Sequence, residues 1–159
     1  MKITFISVGQ VKKRYVKEGV DEYLKRIKKH SPVDVIDIKE ESASIKMPVM
    51  EVLKREGERI LYKIRPGEYI VALSDNGKNL SSLEFAEFIG NILSGGTGSR
   101  KGITFIIGGP FGLHKDVTGA AHFKLALSKM TFPHDLARLV LAEQVYRAFT
   151  ILRNEPYSH

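Results

Sequence analysis

A histidine behind a proline, a glycine turn behind an apolar run, and a short aromatic C-terminus are the features of this chain that could do chemistry. Residues 103–112 read ITFIIGGPFG, a β-branched stretch that stops at Gly108-Gly109-Pro110-Phe111-Gly112. Where a turn lacks side chains, backbone N–H groups can approach a ligand closely. A sharp exit from a buried strand would use the same glycines. His134 follows Pro133 at the start of a helix, and imidazole titrates near neutral pH, so it is a candidate proton acceptor. It is equally what a loop histidine at a helix start looks like. Tyr146, Arg147 and Arg153 could hold a phosphate or a base, or could sit on the surface of an amphipathic helix. The stripe Leu136, Leu139 and Val140 predicts core or a subunit interface. Asp75, in the turn Asp75-Asn76-Gly77, could pair with a hydroxyl, although such a turn needs no function.

Other chemistries lack their signatures. No G-x-G-x-x-G follows the first strand, no G-x-x-x-x-G-K-[ST] occurs, and there is no G-x-S-x-G. His30, His114, His122, His134 and His159 are scattered, so no metal site is expected. The chain has no cysteine, which excludes disulfides and thiolate catalysis and fits a cytoplasmic setting. No apolar run approaches the roughly 20 residues of a membrane span. The net charge is +7 and unevenly placed: residues 1–30 hold nine Lys and Arg against three acids. Arg14, Lys25 and Arg26 belong to that stretch, and Arg100 and Lys101 lie in a flexible basic loop. A polyanion such as RNA is one partner this distribution suits; a solvated lysine-rich helix face is the other reading.

Something must position these residues, and the pattern says what. Residues 2–8, 33–38, 69–73, 103–107 and 123–127 are short and β-branched or apolar, and predict strands. Helical spacing marks 13–30, where Val16, Val20, Tyr23, Leu24 and Ile27 recur, then 48–65, a segment after Ser81, a short turn or helix over 113–122, and 135–153. Ser81 and Glu84 read as a capping box. Residues 39–47 are polar and predict a loop. The alternation predicts one α/β domain over 1–159, a mainly parallel five- to six-stranded sheet with helices on both faces. Ligands of such sheets bind beyond the carboxyl ends of the strands. Three loops meet there on this reading: 74–78, 108–112 and 128–134.

Each signal is weak alone, but their order is specific. IIGGPFGL at 106–113, followed by LSKMTFPHDLARLVLAEQVYRAFTILRNEPY at 127–157, closely resembles the ribosomal RNA large-subunit methyltransferase H family, a branch of the SPOUT class. KITFISVGQ at the start and GVDEYLKRI at 19–27 match as well, so the resemblance covers the whole chain. It implies a C-terminal trefoil knot, a homodimer with each cofactor pocket near the partner subunit, and S-adenosyl-L-methionine as methyl donor. It implies methylation at N3 of pseudouridine 1915 in 23S rRNA of the assembled ribosome. Family binding positions fall on Leu73 and the loop after it (Asp75, Asn76), on Gly108 and Gly109, and on Leu127, Ser128, Lys129, Met130, Thr131 and Phe132. One departure is visible: the tail reads Pro156-Tyr157-Ser158-His159, where the family has Pro-Tyr-His and a basic residue.

The resemblance suggests roles. His134 is the first candidate for base or orienter. Arg153 would stabilise charge developing on the ring oxygens or hold a phosphate, and Tyr157 would stack on the target base. Arg138 and Arg147 would dock RNA phosphates, and the basic first helix with Arg100 and Lys101 would add longer-range attraction. Two other readings stand beside this one: a non-catalytic RNA-binding or ribosome-associated α/β protein, and a small-molecule hydrolase, against which the missing nucleophile and metal signatures count.

Overall fold

A computed structural model describes residues 1–156. Five strands alternate with five helices: β1 Lys2–Val8, α1 Arg14–Ile27, β2 Val33–Ile38, α2 Val49–Lys63, β3 Glu68–Asn79, α3 Ser82–Leu93, β4 Gly102–Ile107, α4 Lys115–Ala120, β5 Phe123–Ala126 and α5 His134–Leu152. The strands form one sheet in the order β2-β1-β4-β3-β5, and every pairing is parallel. Parallel neighbours need crossovers, which is why a helix follows every strand.

Alternation along the strands sorts side chains into two cores. Ile3, Phe5, Val71, Ile103, Phe105 and Ile107 point to the face covered by α1, α3 and α5. Ile6, Val8, Ile70 and Ile106 point to the other face, where Ile60 of α2 and Val117 of α4 close over them. β4 is buried along its whole length, as its continuous apolar run requires. α3 starts on the expected capping box: Ser81 Oγ accepts from Glu84 N–H at 3.2 Å, and Glu84 accepts from Ser81 N–H at 2.7 Å.

The structure departs from the sequence reading in three places. The segment 74–78 is not a plain turn. β3 runs on to Asn79 with a register irregularity, so that Leu73 and Lys78 both pair with Leu125. The buried stripe of α5 is Leu141, Ala142, Val145, Ala148 and Phe149, while Leu136, Leu139 and Val140 are only half-buried. Pro48 is the cap of α2 rather than its first helical residue.

One buried acid was not anticipated. Glu56 of α2 is 3% exposed and accepts a hydrogen bond from the Glu41 N–H at 2.9 Å, tying the 39–47 loop to the domain. Burial raises its pKa above the usual 4.5, with the neighbouring Glu40 and Glu41 adding to the effect.

Two outcomes follow from this packing. A Cβ at Gly77 would lie 2.6–2.8 Å from backbone atoms of Lys124, Leu125 and Ala126, whereas one at Gly119 meets nothing within 4 Å. Gly77→Ala is therefore expected to lower stability to urea by about 1–3 kcal/mol, and Gly119→Ala to leave it unchanged or slightly raised. Glu56 has a raised folded pKa, so its protonated form is favoured by folding, and it loses stability as pH climbs from 4.5 through that value. Glu56→Gln should raise Tm at about pH 7 and lose that advantage by about pH 4, measured by thermal melts across pH.

Candidate functional site

The three expected loops converge. Leu73, Asp75 and Asn76 from the far part of β3, Gly108 and Gly109 after β4, and Leu127, Ser128, Met130, Thr131 and Phe132 after β5 line one cleft of about 640 Å³. That is ordinary for a small-molecule site. His134 and Ala137 of α5 complete the wall. Lys129 is exposed and lies outside the lining. Sequence reasoning missed Ile107, Leu113, Thr118, Leu125 and Ala137, which also line the cleft. Ile107 and Leu113 flank the 108–112 loop that was named, so contiguity was a usable signal. Thr118 on α4 gave none.

Local geometry explains the glycines. At Gly108 an added Cβ would collide with the Gly112 backbone, and Gly112 itself has φ +84°. The turn closes through Gly112 N–H to Gly109 O at 3.0 Å. At Gly109 a Cβ would stand 3.1 Å from Val8 Cγ1, so side-chain-free backbone faces the cleft on one side and the core on the other. The 128–133 loop is shaped by Ser128 Oγ, which accepts from Met130 N–H at 3.0 Å.

α5 begins at His134 with no side-chain cap. Its first N–H groups have no partner from the N-cap side chain, and the helix dipole favours negative charge beside them, where Asp135 already stands. His134 Nε2 lies 3.3 Å from Asp135 Oδ1, and Asp135 is 9% exposed and also accepts from Lys12 N–H at 3.3 Å. The imidazole is thus half-buried, lines the cleft and has a carboxylate beside it.

Arg138 is corrected by the structure. It is 6% exposed and donates to the Val8 and Gly9 carbonyls, with Asp37 3.5 Å from Nη1. Desolvation lowers its pKa, although Asp37 and Asp135 oppose the effect. It anchors α5 to the end of β1 and is not exposed for RNA phosphates. Arg147 is partly buried and paired with Glu143 at 2.8 Å.

The other cations are spread over the molecule. Arg14 is exposed and paired with Glu18 on α1. Arg100 stacks over Tyr69 at 5.7 Å, and Lys101 follows it. Both precede the start of β4, so they flank the end of the sheet away from the cleft. Lys25, Arg26 and Arg153 share a second cleft, between the last turns of α1 and α5. Arg153 follows the last residue of α5 and His134 is its first. Nineteen residues at ~1.5 Å each separate them by about 28 Å, so within one protomer they do not act on the same atom. Tyr157 lies outside the described residues. Among the described residues no cluster of metal-ligating side chains occurs, and no helix is long and apolar enough to cross a membrane.

Known proteins share this arrangement. The family model described as "Predicted SPOUT methyltransferase" matches residues 1–159. Proteins named ribosomal RNA large subunit methyltransferase H are similar over 99% of both chains: 49% identical in Carboxydothermus hydrogenoformans, 44% in Alkaliphilus oremlandii and 43% in Clostridium acetobutylicum. A probable methylase family protein from Haemophilus influenzae Rd KW20 matches in structure with a TM-score of 0.52 at 12% identity, covering 99% of this chain and 70% of that one, and supports the fold alone. With a strand-end cleft, an all-parallel sheet and full-length matches of this strength, the chain belongs to the SPOUT methyltransferase family and, within it, to the ribosomal RNA large subunit methyltransferase H branch.

Proposed function

We propose that the protein methylates N3 of pseudouridine 1915 in 23S rRNA of the assembled ribosome, working as a cytoplasmic homodimer with S-adenosyl-L-methionine as donor. The observation that carries this reading is the convergence of the 73–76, 108–112 and 127–134 segments on one cleft. The cleft suits an elongated ligand with an apolar and a charged part. Leu73, Leu125 and Leu127 offer apolar walls, and Gly108 and Gly109 admit close backbone approach. The uncapped start of α5 favours a carboxylate. The trefoil knot belongs to the same proposal; its support is the match to the SPOUT methyltransferase family.

When bound, S-adenosyl-L-methionine supplies an electrophilic methyl group on a sulfonium, so no metal is needed to activate it. Two tasks remain for the chain. The loops hold the reacting groups in line, which is worth several kcal/mol on its own. The imide proton at N3 must leave before the nitrogen is a good nucleophile. His134, at the cleft wall with the Asp135 carboxylate 3.3 Å from its Nε2, is the group proposed to accept it. Arg153, about 28 Å along α5 from its own protomer's His134, is left to hold a phosphate, and Tyr157 is proposed to stack on the target base.

Calorimetry should detect S-adenosyl-L-methionine binding, and labelled donor should mark intact ribosomes in preference to free rRNA. Absence of binding by the folded protein would favour a ribosome-associated binder without catalysis. His134→Ala should slow single-turnover methylation about 10²–10⁴-fold while donor affinity stays the same. Unchanged turnover removes His134 as the base.

A further inference from the structure

Four cations meet where α1 and α5 end. The cleft between these ends, about 540 Å³ in volume, is lined by Lys25, Arg26 and Lys29 from one side and Arg153 from the other, with Glu22 and Glu155 as the carboxylates. Four positive groups face two negative ones, so the lining carries a surplus of two positive charges before any histidine is counted. Arg26 is held in place: it donates to Glu22 at 2.8 Å and lies over the rings of Tyr23 and Tyr146 at 5.7 and 5.5 Å. Lys25, Lys29 and Arg153 make no ion pair among the described residues.

His30 borders the same cleft: its side chain is 8% exposed and stacks on Phe149 at 5.4 Å. Its Nε2 stands 3.9 Å from Glu155, beyond hydrogen-bond reach, and its Nδ1 is sealed from the cleft. It is the four cations that call for a ligand: an anionic oxygen seated among them would neutralise the surplus charge.

We propose that this cleft seats a backbone phosphodiester of the RNA substrate, as a docking point separate from the cofactor cleft. The inference rests on the reading that the protein acts on rRNA. It assigns Arg153 to phosphate binding and makes the two ends of α5 a spacer between docking and chemistry. Phosphate contacts position a nucleic acid without reading its sequence, and each one contributes to the salt dependence of binding.

The test is ribosome binding by cosedimentation, measured for the full-length protein across about 50–200 mM salt. Lys25→Gln/Lys29→Gln should weaken binding by about tenfold or more and reduce the slope of log affinity against log salt by roughly 0.7–0.9, the share of one lost phosphate contact. Lys54→Gln, an exposed charge removed from α2 on the opposite face, should move the slope far less. Calorimetry with S-adenosyl-L-methionine on each variant checks that the fold is kept. Equal slopes for the cleft and control variants, or no ribosome binding by the unsubstituted protein, would overturn the proposal. So would an Arg153→Gln variant that binds ribosomes normally but is slow at saturating ribosome. Because the readout is binding, a protein that binds ribosomes yet transfers no methyl would refute the proposed function and still test the cleft.

Discussion

The close passage of residues 74–79 across β5 is the constraint on which the site depends. Gly77 meets the backbone of residues 124–126 with no room for a side chain, Asn79 Nδ2 donates to Ala126 O at 3.0 Å, and Leu73 and Lys78 both register on Leu125. A strand that leaves its partner and returns to the same residue makes a bulge, and bulges re-aim side chains next to sites. Here the excursion sends Ser74, Asp75 and Asn76 to the cleft while the strand on either side stays paired. Loosening this crossing would separate the first wall of the cleft from the third.

The second anchor is Arg138. Its guanidinium bridges α5 to the carbonyls that end β1, so the helix start carrying His134 is located relative to the centre of the sheet. A buried arginine is unfavourable unless its donors are met: two backbone oxygens accept from Nη2 and Asp37 lies 3.5 Å from Nη1, while the buried Nε has no hydrogen-bond partner among the described residues. Gly19 of α1 lies against Leu139 in the next turn, close enough that a Cβ there would stand 2.8 Å from Leu139 Cδ1. α5 is thus fixed at its first turns by polar and steric contacts, and along its length by the Leu141, Val145 and Phe149 face.

Charge is organised differently from chemistry. The strand-end cleft is lined mainly by backbone, hydroxyl and apolar groups, with Asp75 and His134 as its ionisable side chains. One basic cleft lies at the far end of α1 and α5, and Arg100 and Lys101 precede the start of β4. A donor molecule that is itself cationic at sulfur is better held by dipoles and apolar walls than among lysines, whereas an RNA backbone needs the opposite. The two ends of α5 border one cleft of each kind.

Much of the architecture was legible locally. The strands at 2–8 and 33–38, the Ser81 capping box and the helix behind Pro133 each follow from spacing, capping or backbone chemistry within a few residues, and the glycine turn at 108–112 marked one wall of the cleft. Order along the chain sufficed to say that the sheet is parallel and that its carboxyl ends carry the site. Only the tertiary structure decided which residues are available. Arg138 and Arg153 look alike in sequence, yet one is sealed against β1 and the other opens on a basic cleft. Glu56 and His30 gave no signal at all, because burial of a polar group is a property of what packs over it. Leu136, Leu139 and Val140 have helical spacing as good as the true buried stripe, and which stripe is covered depends on where α1 and α3 lie. Periodicity records that a face exists; long-range packing selects the face, and no local pattern encodes that choice.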